Sequence, residues 1–127
     1  MLHIVKPIMF DISDKAVKRA GLDYWQYLSL KVYESSADFF TEHKSENFYF
    51  CSTKAKTLYT DVKYSGDVWL VFGSETKGLP EDMIFGNYEK AIRIPMLDNI
   101  RSLNLANSVA VVAYEVVRQR CGPEGLV

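Results

Sequence analysis

The chain has 127 residues, of which 48% are hydrophobic, 24% charged and 13% aromatic, a composition typical of one globular domain spanning residues 1–127. Fifteen Lys and Arg residues against sixteen Asp and Glu residues give a net charge of −1, so any nucleic-acid binding has to rest on a local basic patch. The two cysteines, Cys51 and Cys121, have neither disulfide-framework nor zinc-site spacing. Without a secretory signal or an apolar run near the roughly 20 residues of a membrane span, we expect a cytoplasmic protein.

Short apolar or aromatic runs alternate with helical patterns along the chain. The runs predict strands at Leu2–Val5, Leu30–Tyr33, Asn47–Cys51, Val68–Phe72 and Ala91–Ile94. The patterns predict helices at Ser13–Gly21, Ser35–His43 and Pro80–Phe85, and a final helix from about Leu103 to Arg120. Because the strands alternate with helices and lack strict period-two patterning, we predict an α/β fold with a mostly parallel sheet covered by helices on both faces.

The final helix carries more apolar residues than one narrow stripe can hold. One face can pack on the sheet of its own chain. The remaining apolar surface indicates contact with a second subunit or with a loop wrapped around the helix.

A glycine-bounded polar loop follows the strand at Val68–Phe72 and leads into the helix that begins near Pro80. This is where ligands bind in open α/β sheets, because backbone groups and helix N-termini converge there. Gly73 and Gly78 have the glycine spacing of a phosphate loop, but Leu79 and Pro80 replace its Lys and Ser/Thr, which excludes a nucleotide triphosphatase of that class. An ordinary turn and a ligand-binding loop both fit the segment.

The segment Ile92–Ser108 leaves the strand at Ala91–Ile94, passes through a second polar loop and enters the final helix. Ser102 or Asn104 can cap that helix. Arg101 fits a capping role less well, because a cation near a helix N-terminus is unfavourable, and its position suggests a phosphate or carboxylate partner.

Basic residues on the first helix, Lys15, Lys18 and Arg19, precede the segment Ala20–Tyr27, which ends in an aromatic cluster. Cations could bind RNA phosphates and an aromatic ring could stack on a base. Composition alone favours the other interpretation, a solvated helix face followed by aromatic residues of the core. His3 and His43 have no metal-ligand or triad spacing, and we predict no chemistry for them.

Four segments in this order resemble the TrmL branch of the SPOUT RNA methyltransferases: Ala20–Trp25, Phe72–Pro80, Ile92–Met96 and Arg101–Ala110. The resemblance covers essentially the whole chain. It implies an α/β fold with a deep trefoil knot in the C-terminal half and a homodimer formed through the C-terminal helix. It also implies methyl transfer from S-adenosylmethionine to the ribose 2′-oxygen of the wobble nucleotide of tRNA, cytidine or uridine 34, without a metal.

The resemblance also assigns roles to residues of this sequence. The cofactor-binding residues it implies are Cys51, Gly73, Ile94, Ser102 and Leu103, with Ile94, Met96 and Leu103 as apolar walls for adenine. Cys51 stands where Leu is more usual, and we interpret its thiol as a packing group. The catalytic residues it implies are Glu75, Arg101 and Asn104, Arg101 for a tRNA phosphate and the other two as orienting groups. Lys15, Lys18 and Arg19 are the implied RNA-binding residues.

The sequence departs from the family pattern at its N-terminus. The usual first strand, Pro-rich turn and helix with Asn, Gly and Arg do not precede Met1. That block carries residues expected to handle the substrate's phosphate and hydroxyl. Three interpretations therefore stay open: an active methyltransferase shown as an incomplete chain, a cofactor-binding protein without turnover, and a tRNA-binding homodimer without chemistry.

Overall fold

A computed structural model describes residues 1–9, 12–19, 21, 23–100 and 102–122, without the side chains of residues 14 and 19. The chain divides into two compact units, Met1–Ser45 and Glu46–Val127. The single domain predicted over residues 1–127 stays a prediction.

The described residues of the first unit form two parallel strands, two α-helices and one 3-10 helix. Its elements are β1 (Leu2–Val5), α1 (Asp14–Arg19), a 3-10 helix (Asp23–Tyr27), β2 (Leu30–Tyr33) and α2 (Ser36–Glu42). Leu2 pairs with Leu30 and Val5 with Tyr33, so β1 and β2 run in register over their whole length. Ser35 caps α2 by accepting a hydrogen bond from the Asp38 backbone N–H at 3.1 Å, as a Ser before a helical pattern predicts.

The second unit is built on a four-stranded sheet in which every paired strand is parallel. Its elements are β3 (Phe48–Cys51), β4 (Thr57–Leu58), β5 (Trp69–Phe72), α3 (Glu81–Gly86), a 3-10 helix (Tyr88–Lys90), β6 (Ala91–Arg93) and α4 (Leu105–Cys121). The strand order is β4-β6-β3-β5. The α/β class and the parallel pairing predicted from the sequence are confirmed.

Helices cover both faces of this second sheet. Ala91 and Ile92 are neighbours on β6, so their side chains point to opposite faces. Ile92 packs in a cluster with Val112 and Val116 of α4, whereas Ala91 packs in a separate cluster with Ile84 of α3. Ala91, Ile92, Ile84 and Val112 are at most 1% exposed, which makes β6 the centre of the unit's core.

Two expectations need correction. β4 was not predicted, because its two residues are too short for any periodic pattern and pair only with β6. The aromatic segment does not consist of core residues: Tyr24 is 65% and Tyr27 83% exposed, on a five-residue 3-10 helix that buries none of its side chains.

Helix α4 buries Val112 and Val116 within the described chain. The contact of its remaining apolar surface with a second subunit or a wrapped loop stays a prediction.

Candidate functional site

The carboxyl ends of β3, β5 and β6 bring three of the predicted cofactor residues to one edge of the sheet. Cys51 ends β3 and lies opposite Phe72, the last residue of β5, and opposite Ile92 of β6. Gly73 therefore leaves the sheet beside Cys51, and Ile94 leaves it directly after β6. This arrangement follows from the parallel register, because all strand ends of one direction meet at the same edge.

The loop after β5 is closed on itself. Ser74 and Gly78 form an antiparallel bridge, in which the Gly78 backbone N–H donates to the Ser74 carbonyl at 3.0 Å. The Lys77 backbone N–H donates to Ser74 Oγ at 3.2 Å. Gly78 has φ +66°, a conformation that favours glycine. A Cβ on Gly73 would lie 2.0 Å from the carbonyl carbon of Gly78, so the closure of the loop itself requires glycine at position 73.

The Cys51 thiol is a packing group at the base of this edge. It packs against the core cluster that contains Tyr49 and Ile92. Burial raises the pKa of Cys51 to about 12, so the thiol stays protonated near neutral pH and is a poor nucleophile.

An open cavity of about 160 Å³ lies at the carboxyl ends of β3 and β6. That volume is smaller than the roughly 300–1,000 Å³ of small-molecule sites, so the cavity fits only part of a small-molecule ligand. Its lining residues are Thr53, Arg93, Ile94, Met96, Leu97, Asp98 and Ile100. Two of the three apolar walls expected for adenine, Ile94 and Met96, line this cavity. The third, Leu103, is 39% exposed and is not one of the described residues that line it.

Asn104 is the N-cap of α4. Its side-chain oxygen accepts a hydrogen bond from the Asn107 backbone N–H at 3.3 Å, and its carbonyl accepts one from Ser108 Oγ at 3.1 Å. The capping interpretation of this loop therefore holds for Asn104. The cap uses the amide oxygen and leaves the NH₂ donors for another partner. Ser102 precedes the cap and is exposed, and Arg101 lies outside the described residues.

The remaining predicted residues lie on exposed surfaces. Glu75 is exposed in the closed loop after Gly73, three residues beyond the last residue of β5. Lys15 and Lys18 are exposed on α1 and, three positions apart, share a helix face. The side chain of Arg19 lies outside the described part of the chain.

The structure also assembles groups that sequence analysis did not select. Thr53 and Asp98 contribute a hydroxyl and a carboxylate to the cavity lining, although neither has a sequence signature stronger than its place after a strand. In the first unit, the Tyr33 hydroxyl lies 3.1 Å from Nδ1 of His3 and 2.9 Å from Nε2 of His43. Burial and the neighbouring His43 lower the pKa of His3.

Within the described residues, no group of three or more His, Cys, Asp or Glu side chains is arranged to hold a metal ion. None of the helices in that part of the chain is long and apolar enough to cross a bilayer.

Comparisons with known proteins agree with this architecture. The model of the SpoU rRNA Methylase family matches residues 1–114. A protein of Listeria innocua is 45% identical over 122 residues, which are 94% of this chain and 72% of the relative. The tRNA (cytidine(34)-2'-O)-methyltransferase of Aeromonas hydrophila is 40% identical over 119 residues, 93% of this chain and 76% of the relative.

A solved structure gives the same result for the fold. It is described as "Structural insights into the 2-OH methylation of C/U34 on tRNA" and is 35% identical, with a TM-score of 0.84 over 94% of this chain and 78% of its own. In open α/β sheets, ligands bind at the carboxyl edge of the strands, which is where this chain has its closed glycine loop. The chain belongs to the SpoU rRNA Methylase family.

Proposed function

We propose that the chain transfers a methyl group from S-adenosylmethionine to the ribose 2′-oxygen of nucleotide 34 of tRNA, a cytidine or uridine. The observation that carries the proposal is the carboxyl edge of the second sheet, along which lie the closed loop at Gly73, the end of β3 at Cys51 and the cavity beside Ile94. The relatives' named activity supports the same reaction.

The residues at this edge fit the cofactor by their chemistry. Ile94, Met96 and Leu97 offer an apolar lining for an adenine ring, while Thr53 and Asp98 offer a hydroxyl and a carboxylate for its polar groups. The proposed cofactor-binding set also includes Cys51, Gly73, Ser102 and Leu103. These residues contribute backbone donors and acceptors. When bound, S-adenosylmethionine supplies a methyl group already activated by its sulfonium.

The work left to this chain is to position the ribose and assist the loss of its 2′-hydroxyl proton. Glu75 presents a carboxylate from the closed loop, and Asn104 has NH₂ donors that its capping role does not use. We assign these two side chains to orienting the substrate and Arg101 to a tRNA phosphate.

Binding of tRNA and self-association complete the proposal. Lys15, Lys18 and Arg19 supply cations for phosphates from α1. Helix α4 carries Val111 and Tyr114, both exposed, on the face opposite to the buried Val112 and Val116, and we assign that face to a homodimer contact. The deep trefoil knot and a cytoplasmic location, where tRNA is found, also belong to the proposal.

A methyl-transfer assay tests the reaction. The chain is incubated with labelled S-adenosylmethionine and tRNA, and the modified nucleotide is located by mass spectrometry. We expect methylation of nucleotide 34, and none on tRNA that carries a 2′-deoxyribose at that position. In single-turnover assays, Glu75→Gln and Asn104→Asp should each slow transfer by about 100-fold if they position the hydroxyl.

Asn104→Asp is informative because aspartate keeps a capping oxygen, removes the NH₂ donors and adds a negative charge that a helix N-terminus favours. Its fold should equal that of the parent. If the chain binds the cofactor but does not methylate tRNA, it is a cofactor-binding protein without turnover. If it binds tRNA but not the cofactor, it is a tRNA-binding protein, and the proposed cofactor site is excluded.

A further inference from the structure

Two tyrosine rings project from the first unit with most of their surface in solvent. Tyr24 is 65% and Tyr27 83% exposed, on the 3-10 helix Asp23–Tyr27, whereas Trp25 between them is partly buried. Large aromatic rings are usually buried in a protein of this size. Two such rings exposed on five residues form a surface that needs an explanation.

The helix type places the two rings on one side. A 3-10 helix has three residues per turn, so side chains three positions apart are eclipsed and project in the same direction. With a rise of about 2.0 Å per residue, Tyr24 and Tyr27 leave the helix about 6 Å apart along its axis. Each ring offers a flat face on which a nucleobase can stack.

Two exposed lysines precede this pair of tyrosines along the chain. Lys15 and Lys18 are exposed on α1. The Gly21 backbone N–H donates to the Lys18 carbonyl at 3.1 Å, and the Asp23 backbone N–H donates to the Gly21 carbonyl at 3.2 Å. Gly21 has φ +71°, a conformation that favours glycine, and its two hydrogen bonds join Lys18 at the end of α1 to Asp23 at the start of the 3-10 helix.

Tyr24 lies six positions after Lys18, which limits the separation of their Cα atoms to about 21 Å, a few nucleotides of single strand. Cations beside exposed rings match a single-stranded nucleic acid, whose phosphates are anionic and whose unpaired bases present π-faces. An apolar protein partner would not need the two lysines. Charge complementarity therefore favours RNA as the occupant.

We propose that Tyr24 and Tyr27 form a stacking site for unpaired bases of the tRNA substrate, with Lys15 and Lys18 on the adjacent phosphates. The proposal rests on the proposed function for the identity of the RNA. The tyrosines bind bases by stacking, whatever the base identity, and the lysines attract the phosphates electrostatically. Loop nucleotides, which are not held in a duplex, are the bases available for stacking.

Binding of an anticodon stem-loop RNA, measured by fluorescence anisotropy without cofactor, tests the site. The double variant Tyr24→Leu/Tyr27→Leu should bind at least about 10-fold more weakly, while its dependence on salt is unchanged because stacking releases no counterions. Tyr24→Phe/Tyr27→Phe keeps both rings and should bind like the parent. Lys15→Gln should weaken binding and lower the salt slope by about 1.

Phe85→Leu is the matched control, since Phe85 is 56% exposed on α3 of the second unit. It should leave RNA affinity unchanged. An RNA whose loop positions are abasic should bind the parent weakly. Its affinity for the leucine double variant should be no lower than its affinity for the parent. Equal affinity of parent and leucine variant for the intact loop would overturn the proposal.

A change in oligomeric state with unchanged RNA affinity would also overturn it, by assigning the rings to a protein contact. The outcome is separable from that of the proposed function. If RNA affinity depends on the tyrosines but no methyl transfer occurs, the stacking site stands and the proposed reaction is rejected. If methyl transfer occurs but RNA affinity does not depend on the tyrosines, the reaction stands and the stacking site is rejected.

Discussion

Replacing Gly73 by alanine should damage the proposed cofactor site more than any other single methyl group added to a glycine of this chain that the structure describes. The added Cβ would lie 2.0 Å from the carbonyl carbon, 2.4 Å from the carbonyl oxygen of Gly78 and 2.2 Å from the backbone nitrogen of Leu79. These neighbours are backbone atoms and cannot rotate away. The loop has to move by more than about 1 Å to restore ordinary contact distances.

The cost of that movement can be worked from the contacts. Opening the loop breaks the hydrogen bond from the Gly78 N–H to the Ser74 carbonyl and the one from the Lys77 N–H to Ser74 Oγ, at about 0.5–1.5 kcal/mol each. If the loop instead stays closed, strain from overpacking typically costs about 1–3 kcal/mol. We therefore expect Gly73→Ala to lower the free energy of unfolding by about 1–3 kcal/mol whether the loop opens or stays closed.

Cofactor binding should fall in either case. A loop displaced by about 1 Å can no longer present its backbone groups as before, and we expect S-adenosylmethionine to bind at least about 10-fold more weakly, or 1.4 kcal/mol. Isothermal titration measures the affinity, and urea unfolding measures the stability of the same preparation.

Two other glycines separate the steric effect from the effect of backbone conformation. Gly86 has open space around its Cβ position at the end of α3, so Gly86→Ala should be neutral or more stable by about 0.5–1 kcal/mol. Gly78→Ala meets no neighbour but needs φ +66°, which costs about 1–2 kcal/mol. Parent-like affinity and stability of Gly73→Ala would refute the closed loop.

Two further predictions concern stability. The folded state depresses the pKa of His3 below 6.5, through burial first and His43 second, so the unfolded chain binds protons more readily. Stability should therefore be complete above about pH 6.5 and fall as the pH drops below it, a dependence that His3→Gln should flatten in urea titrations across that range. Tyr33→Phe removes the hydroxyl between the two imidazoles and should cost about 1–3 kcal/mol at neutral pH; an unchanged urea midpoint would rule out a stabilising bridge. Ile84→Ala, at a site 1% exposed, should cost about 2–5 kcal/mol, whereas Phe85→Leu on the same helix should stay within about 0.5 kcal/mol.

Much of the fold could be predicted because its signals are local. The apolar run at Leu30–Tyr33 coincides with β2, and Ser35 and His43, the predicted ends of a helix, are the caps of α2. The same reasoning missed β4, because two residues have no period and form a strand only by pairing with β6.

The candidate site was predicted in part. The glycine loop and the strand ends at Cys51 and Ile94 follow from chain order once the sheet is parallel. Thr53 and Asp98 could not be selected, because their presence in one cavity depends on where β3 and β6 end in space.

By itself, the sequence determined the α/β class, the order of the helices and strands and the place of the glycine loop, since each depends on residue types a few positions apart. Only the tertiary structure decided which side chains are buried and which meet. Tyr24 and Tyr27 are exposed, although large aromatic side chains are more often buried. His3 and His43 both lie within hydrogen-bond distance of the Tyr33 hydroxyl, although they are 40 positions apart in the chain. Burial and long-range contact arise from packing between elements, and no local pattern encodes that packing.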